Sequence, residues 1–462
     1  MLRERYAAQD IFEQIGTVSI EMEPVLSRLA ELLDEDALFE AVKADLAKRY
    51  PRTLLTGRSS TPVEVVLRML VIKHLYGWSY EQTEQWVSDS LVLRQFCRVY
   101  LEKVPDDTTL IRWANLIQPQ TLAGLLEHVV ELAVQHKVTK GRKLRIDGTV
   151  VETNIHHPTD STLLQDGVRV LGRLLRRAGT ELKGALPHGQ RWLRQQTQTA
   201  RDAWLSIVHA AARRGEEADA SMRTAYATLL DVSEQLLEQA QRANQALRQR
   251  TTKPAQRLAD QLTNVVPKVQ QIMRQTQRRV LQGQSVPARD KLVSLFEPHS
   301  AIIRKGKVGK AVEFGRVLWL DEVEGGLISR YDVLAGNPAD ADQLRPSLDH
   351  HARVFGKPPN LLAADRKVYS PSGEAYAMGQ GVKYVAIPKP GARSPARQAH
   401  EHLPWFRSGR NWRAGIESRI SLLKRRFGLR RCRYHGENGM QRWVGWGIIA
   451  YDLWAIARKT AA

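Results

Sequence analysis

The sequence predicts an α/β core, a mixed sheet of about five strands flanked by helices, interrupted by a helical insertion and preceded by an all-α region. Three observations predict it. The hydrophobic period is helical through the first 140 residues and changes to alternation, rich in β-branched residues, at "KLRIDGTVVET". From about 161 to 290 it is helical again, rich in Gln, Arg, Leu and Ala and low in Gly. Strand-like runs return from 312. The boundaries that follow are 1–140 for the N-terminal helical domain, 141–162 and 293–462 for the two segments of the core, and 163–292 for the insertion.

Taken in order, "TPVEVVLRMLVIKHLYGW" puts Val63, Val66, Leu67, Leu70, Val71 and Leu75 on one helical stripe after Pro62 in the first turn. Ser79 with Gln82 three residues on forms a capping box. Asp107 or Thr108 opens another helix, and a longer amphipathic helix covers about 120–136. Short helices at the front of a basic protein fit a helix-turn-helix DNA reader, or simply helices packed on one another. The strand at 143–152 comes next. The insertion has breaks near Pro187, Gly215, Pro254 and Pro287, and "LLDVSEQLLEQAQRANQALRQR" has the three-and-four spacing of a helical hairpin or small bundle. Beyond it, "VEFGRVLWLDEV", "GLISRYDVLAG", "NLLAADRKVY" and "VKYVAIP" read as strands, with a helix at about 340–355 between the second and third. Helices at 411–428 and 438–458 close the chain. The aromatic stripe of the last one, Trp443, Trp446, Tyr451 and Trp454, reads as core.

Charge bounds the function. Against 49 Asp and Glu stand 69 Lys and Arg, a net charge of +20. Residues 391–462 hold 15 basic and 4 acidic side chains, and 166–290 hold 21 against 11, whereas 1–60 are slightly acidic with 8 against 11. A surplus so localised points to a polyanion, and DNA is the leading one. The two cysteines, Cys97 and Cys432, are far apart and in no CxxC pair, which argues against a zinc site or disulfide framework. The opening "MLRERYAAQDIFEQIG" is charged where a signal peptide is apolar, and no stretch has the length of a membrane span. The expectation is a cytoplasmic, nucleoid-associated protein that touches no membrane. "GRSS" at 57–60 and "RKGKVGK" at 304–310 make no P-loop, the second reading as a turn that lies along DNA.

Three acids stand out in the core. Asp147 lies mid-strand, Asp365 ends "LLAAD", and Glu417 is placed on the first turns of a late helix, the one acid among nine Arg and Lys in residues 410–433. Such carboxylates can converge on one point, and two divalent metals about 4 Å apart need a cluster of that kind. At roughly 100° per residue, Arg410, Arg413, Glu417, Ser421 and Lys424 share a stripe, next to an apolar one of Ile416, Ile420, Leu423 and Phe427 that docks the helix. A metal ligand fits this setting; so does an ion pair of Glu417 with Arg413. Asp321 in "LWLDEV" is a second strand acid, read as a surface strand end. His156 and His157 are adjacent, so on an extended chain they point apart and make a poor metal corner.

The order Asp, Asp, Glu, with Arg-(3)-Glu-(6)-Lys around the last acid at Arg413, Glu417 and Lys424, resembles the DDE transposases of bacterial insertion sequences. "LRIDGTVVETNIHHPTDSTLL", "LLAADRKVYS" and "FCRVYLEKVPDDTTLIRWANLI" are similar to that family's segments around its first and second aspartates and to its N-terminal helical region. The resemblance spans about 60–160 and 295–458. It implies an RNase H-like catalytic core, with Asp147, Asp365 and Glu417 catalytic and metal-binding through two Mg²⁺ or Mn²⁺ ions. It implies that Arg413 and Lys424 contact the DNA, and Arg410, Arg425 and Arg426 join them as basic neighbours. The partners are double-stranded DNA, as terminal inverted repeats and target, and at least one further copy of the chain. Two positions depart from the family pattern: Arg410 stands where a Tyr is usual, and Lys367 follows Arg366 where Gly is common. A stand-alone nuclease of the same fold, or a non-catalytic DNA-binding derivative, are the rival readings.

Overall fold

The sheet begins at β1 (Lys143–Glu152), where Leu144, Ile146, Val150 and Val151 are all buried. A computed structural model describes residues 3–6, 22–49, 60–184, 186–307 and 310–461. By packing, the chain divides into two units, residues 1–154 with 316–462 and residues 155–315. The readings on "MLRERYAAQDIFEQIG", on "GRSS" and on the turn of "RKGKVGK" fall wholly or mostly outside the described residues or side chains.

Seven helices lead to β1 among the described residues of the first unit. They are α1 (Pro24–Leu32), α2 (Asp36–Ala47), α3 (Val63–Tyr76), α4 (Tyr80–Asp89), α5 (Leu91–Phe96), α6 (Asp107–Leu116) and α7 (Pro119–Gln135). The capping box at Ser79 and Gln82 is present in both directions. Asp106 caps α6 by accepting from the Thr109 N–H at 2.7 Å.

Helix α3 differs from the one-striped helix expected. From Val63 to Leu75 it is buried all round, and Pro62 is its N-cap. Its charges are therefore satisfied internally: Arg68 donates to Glu64 at 3.2 Å, to Asp34 at 2.6 Å and to two carbonyls. A helix so enclosed cannot enter a DNA groove, so the packed-helix reading holds for α3. Gly77, at φ +69°, ends it in the left-handed region.

From Lys310, at the end of the second unit, the sheet resumes with β3 (Lys310–Val323), β4 (Leu327–Leu334), β5 (Leu361–Ala364) and β6 (Tyr384–Ala386). The strands of the first unit run in the order β4–β3–β1–β5–β6. β3 and β4 are antiparallel, while β1, β5 and β6 are parallel, so the sheet is mixed as expected. Between strands lie α12 (Leu344–Phe355), preceded by a 3₁₀ turn at Asp340–Gln343, and α13 (Pro371–Gly379). Then follow α14 (Pro395–Glu401), α15 (Pro404–Arg426) and α16 (Gly436–Thr460). Trp443, Trp446 and Tyr451 of α16 are buried, and the helix packs on α1, α3, α7 and β4. The aromatic stripe is core.

The second unit is a bundle of α8 (Asp160–Glu181), α9 (Gln190–Ala211), α10 (Glu216–Arg248) and α11 (Lys253–Thr276) around a Leu- and Ala-rich core. Pro254 sits in the first turn of α11, and Pro267 lies within it without ending it. The unit also holds a strand that periodicity missed. β2 (Ala301–Lys307) pairs antiparallel with the leading half of β3, Ala301 opposite Gly315 and Arg304 opposite Val312, which brings the strands to six. "AIIRKGK" carries no apolar alternation past Ile303, so it gives no period-2 signal. None of the described helices is long and apolar enough to cross a membrane.

Candidate active site

Parallel pairing of β1 with β5 aligns Lys143 with Leu361 and continues to Ile146 with Ala364. The next residue in each case is an aspartate, Asp147 within β1 and Asp365 just past the end of β5. Neighbouring strands lie about 4.8 Å apart, and residues at one register level point to one face. The two acids are thus side by side at the end of the pairing. Asp365 also caps the 3₁₀ turn Arg366–Val368, its Oδ1 accepting from the Arg366 N–H at 2.8 Å.

Helix α15 lies over β1, β5 and β6. Small residues allow the approach: a Cβ on Gly409 would lie 2.6 Å from the Ala386 Cβ, and one on Gly415 would lie 2.5 Å from Arg145 Nη1. Two arginines then fix the helix. Arg145, on β1, donates from Nε to Glu322 at 2.9 Å and from Nη1 to the Trp412 carbonyl. Arg419, on α15, donates to the same Glu322 at 3.3 Å. Ile416, Leu423 and Phe427 of the apolar stripe are buried and Ile420 is half-buried. The helix begins at Pro404, seven residues before the expected start at 411, because Pro404 supplies the first turn and Trp405 and Phe406 already pack inward. Glu417 is consequently near the middle of α15, not on its first turns.

Arg145 and Asp147 alternate onto the same face of β1, beneath α15. Arg413 reaches down from the helix, its Nη2 2.8 Å from Asp147 Oδ2, while its Nη1 lies 3.4 Å from Glu417 Oε1. One guanidinium therefore joins the strand acid to the helix acid. Its Nε is buried and has no hydrogen-bond partner. The Asp147 side chain is 19% exposed and that of Glu417 71%. Burial pushes the Asp147 carboxyl above its ordinary range; the Arg413 charge and the Gly148 N–H oppose this, and the negative charges of Asp365 and Asp340 add to it.

Of the sequence-predicted residues, the structure brings Asp147, Asp365 and Arg413 together and holds Glu417 at the margin through Arg413. Arg410, Arg425 and Arg426 are exposed, and Arg426 lies over the Trp454 ring at 4.5 Å. Lys424 is half-buried in the last turn, where a cation suits the helix dipole.

Asp321 is not a surface strand end. It is 1% exposed, accepts from Ser347 Oγ at 2.7 Å and pairs with Arg330 at 3.5 Å, because α12 covers that part of β3. Burial pushes its carboxyl up to about 6. His156 faces Asp166 at 3.4 Å and His157 meets the Phe314 ring edge, so the two histidines do point apart. The acid that sequence reading missed is Asp340, whose 3₁₀ turn packs against the one Asp365 caps. "GNPADADQ" read only as a helix entry, and its neighbours in space come from a turn that periodicity does not locate.

For divalent metals the donor chemistry fits in kind, since Asp147, Asp365 and Glu417 offer the hard oxygens Mg²⁺ prefers. In position the fit is partial. Among the described residues no three Asp, Glu, His or Cys side chains stand close enough to hold one ion. Asp147 and Asp365 supply the adjacent pair, and the Arg413 guanidinium lies between Asp147 and Glu417.

Residues 322–453 match the family described as Transposase DDE domain, a span that contains Asp365, Arg413 and Glu417 and begins after Asp147. Residues 18–116 match the family described as Transposase domain (DUF772). An uncharacterized protein of Rhizobium meliloti, ORF8 in the nfe locus, is 31% identical over 134 residues, 28% of this chain. The chain spans 64% of that relative's length, less than two thirds. No solved structure matches. The transposase DDE domain implies the RNase H-like fold to which the mixed sheet and its flanking helices conform. With an Asp–Asp pair on parallel strands, an Arg–Glu–Lys helix above it, and both transposase domains in sequence, the chain belongs to the DDE transposases of insertion sequences.

Proposed function

We propose that this chain binds the terminal inverted repeats of a mobile element, cleaves the DNA ends and transfers them to target DNA. The observation that carries the reading is the position of Asp147 and Asp365 directly after the last aligned pair of β1 and β5, Ile146 with Ala364, with the basic helix α15 set over those strands. Two divalent ions, Mg²⁺ or Mn²⁺, would activate the attacking oxygen and neutralise the leaving one in an in-line phosphoryl transfer. Asp147 and Asp365 would hold them from the sheet and Glu417 from the helix.

Arg413 keeps Asp147 and Glu417 within one guanidinium's reach of each other. Its exchange from carboxylate to DNA phosphate would free both acids together. Arg410, Lys424 and Arg425 would hold the backbone beside the cut, with Arg426 also supporting the end of α15 against Trp454. Joining two ends at once calls for at least a dimer in the active complex, working at the nucleoid.

The test is strand cleavage and joining on a duplex carrying the element's own ends, in Mg²⁺ or Mn²⁺. Wild-type chain should nick and join. Glu417→Gln should bind the duplex with unchanged affinity and do neither. Cleavage without joining would indicate a stand-alone nuclease; binding without cleavage by the wild type would indicate a non-catalytic DNA-binding derivative.

A further inference from the structure

We infer that the helical bundle of the second unit is itself a duplex-DNA clamp, working through one face made by α8 and α11; this rests on the DNA-processing reading above. The outward positions of α8 at Arg169, Arg173, Arg176 and Arg177 are all exposed arginines, at spacings of four, three and one, and so form one stripe. Of that helix's three acids, Asp160 and Asp166 are buried, and the half-buried Glu181, four residues after Arg177, accepts from Thr252 Oγ1 at 2.8 Å. α11 continues the surface. Arg177 Nη1 donates to Gln261 Oε1 at 3.2 Å, which puts the exposed edges of the two helices side by side. Four residues before Gln261 on that edge stands Arg257, and seven after it stands Lys268. Asp166 accepts from Arg169 at 2.8 Å, so Arg169 is partly neutralised, and the other arginines carry the stripe.

The rest of the bundle sharpens the contrast. α10 presents Asp231, Glu234 and Glu238 outward beside Arg223 and Arg242, so its face is less basic than the α8 stripe and a polyanion is drawn more to α8. At 1.5 Å per residue, Arg169 to Arg177 spans about 12 Å, the width of the major groove. Arginines at the two ends of such a stripe can reach phosphates on facing strands. Neither α8 nor α11 contains an aromatic residue, and the one ring beside the stripe among the described residues is Phe296, half-exposed beneath Arg169 at 5.8 Å. The length of the arginine stripe, matched to the groove, favours a double helix held by its backbone, without base readout.

The experiment uses the full chain without divalent metal, a random-sequence duplex of about 30 base pairs, and anisotropy titrations across a salt series. The triple variant R173Q/R176Q/R177Q should lower the slope of log K against log salt by about 2 to 3, near 0.9 for each phosphate no longer neutralised. R201Q/R223Q/R242Q, which removes the same charge from the outer faces of α9 and α10, should change it by less than about 1. Circular dichroism confirms that both variants keep the bundle's helices. Equal losses in the two variants, or no loss in the first, would overturn the inference and leave the proposed function standing. A single strand or duplex RNA that competes better than duplex DNA would overturn the choice of partner. Failure of the wild-type chain to bind any duplex at low salt would sink the proposed function and the inference with it.

Discussion

Two carboxylate–arginine groups lie under the same helix, and they differ in what surrounds them. At one, Glu322 is fully buried and receives Arg145 from the strand and Arg419 from the helix. At the other, Arg413 spans Asp147 and a Glu417 that is mostly in water. The first anchors α15; the second is what the anchored helix presents. A closed ion pair withholds its oxygens from any ligand, whereas the open one can exchange a guanidinium for a cation or a phosphate. The difference therefore separates a structural acid from a candidate catalytic one more sharply than residue type does.

The largest expected effect breaks the anchor. Glu322→Gln leaves Arg145 and Arg419 buried against a neutral amide and should cost on the order of 3–5 kcal/mol in a urea titration. The contrast with Glu417 is weakened if the loss is under about 1 kcal/mol.

Next comes Asp321, the neighbouring buried acid. Its folded carboxyl is raised to about 6 from an unfolded value near 3.8, so the unfolded state binds fewer protons between those values. Stability from this group is full below about 4 and falls as pH rises through 6. Asp321→Asn should remove that slope and gain up to about 3 kcal/mol at pH 7.5, read from thermal melts at pH 4, 5, 6 and 7.5. A variant whose melts keep the wild-type slope would assign the pH dependence elsewhere.

Gly409→Ala tests how closely the helix must sit. Its methyl would meet Ala386 at 2.6 Å, backed by the Leu361 side chain, and the expected cost is about 1–3 kcal/mol. Cleavage should fall along with stability, because α15 carries Arg413 and Glu417 together.

The smallest stability effect belongs to Glu417→Gln. An exposed i,i+4 pair is worth about 0.3–0.5 kcal/mol, so the melt should move little while cleavage is abolished. A Glu417 variant that melts normally and still cleaves would remove Glu417 from the site.

Much of the fold was legible because it is written in local period. β1 is rich in β-branched residues, although the sheet buries it on both faces, the bundle repeats at three and four, and the order of strands and helices in the core follows from those switches. β2 was not legible, since a basic arm of a hairpin shows no apolar alternation. The site was legible in part. Asp147 and Asp365 could be placed on strands, but their common register level is set by the pairing of residues more than two hundred positions apart. Asp340 joined them through a turn whose position only packing fixes.

The amino-acid order by itself determined which segments alternate and which coil, that the strand acids fall mid-strand and at strand end, and that α15 carries Arg413, Glu417 and Lys424 on one stripe. Only the tertiary structure decided which of these charges are enclosed. Asp321, Glu322 and α3 from Val63 to Leu75 are buried because other elements cover them, and Glu417 stays in water because none of the described elements covers it. Periodicity specifies the face a side chain takes on its own element. What covers that face, and so whether a carboxylate is desolvated, paired or open to a ligand, depends on distances between elements that no local pattern encodes.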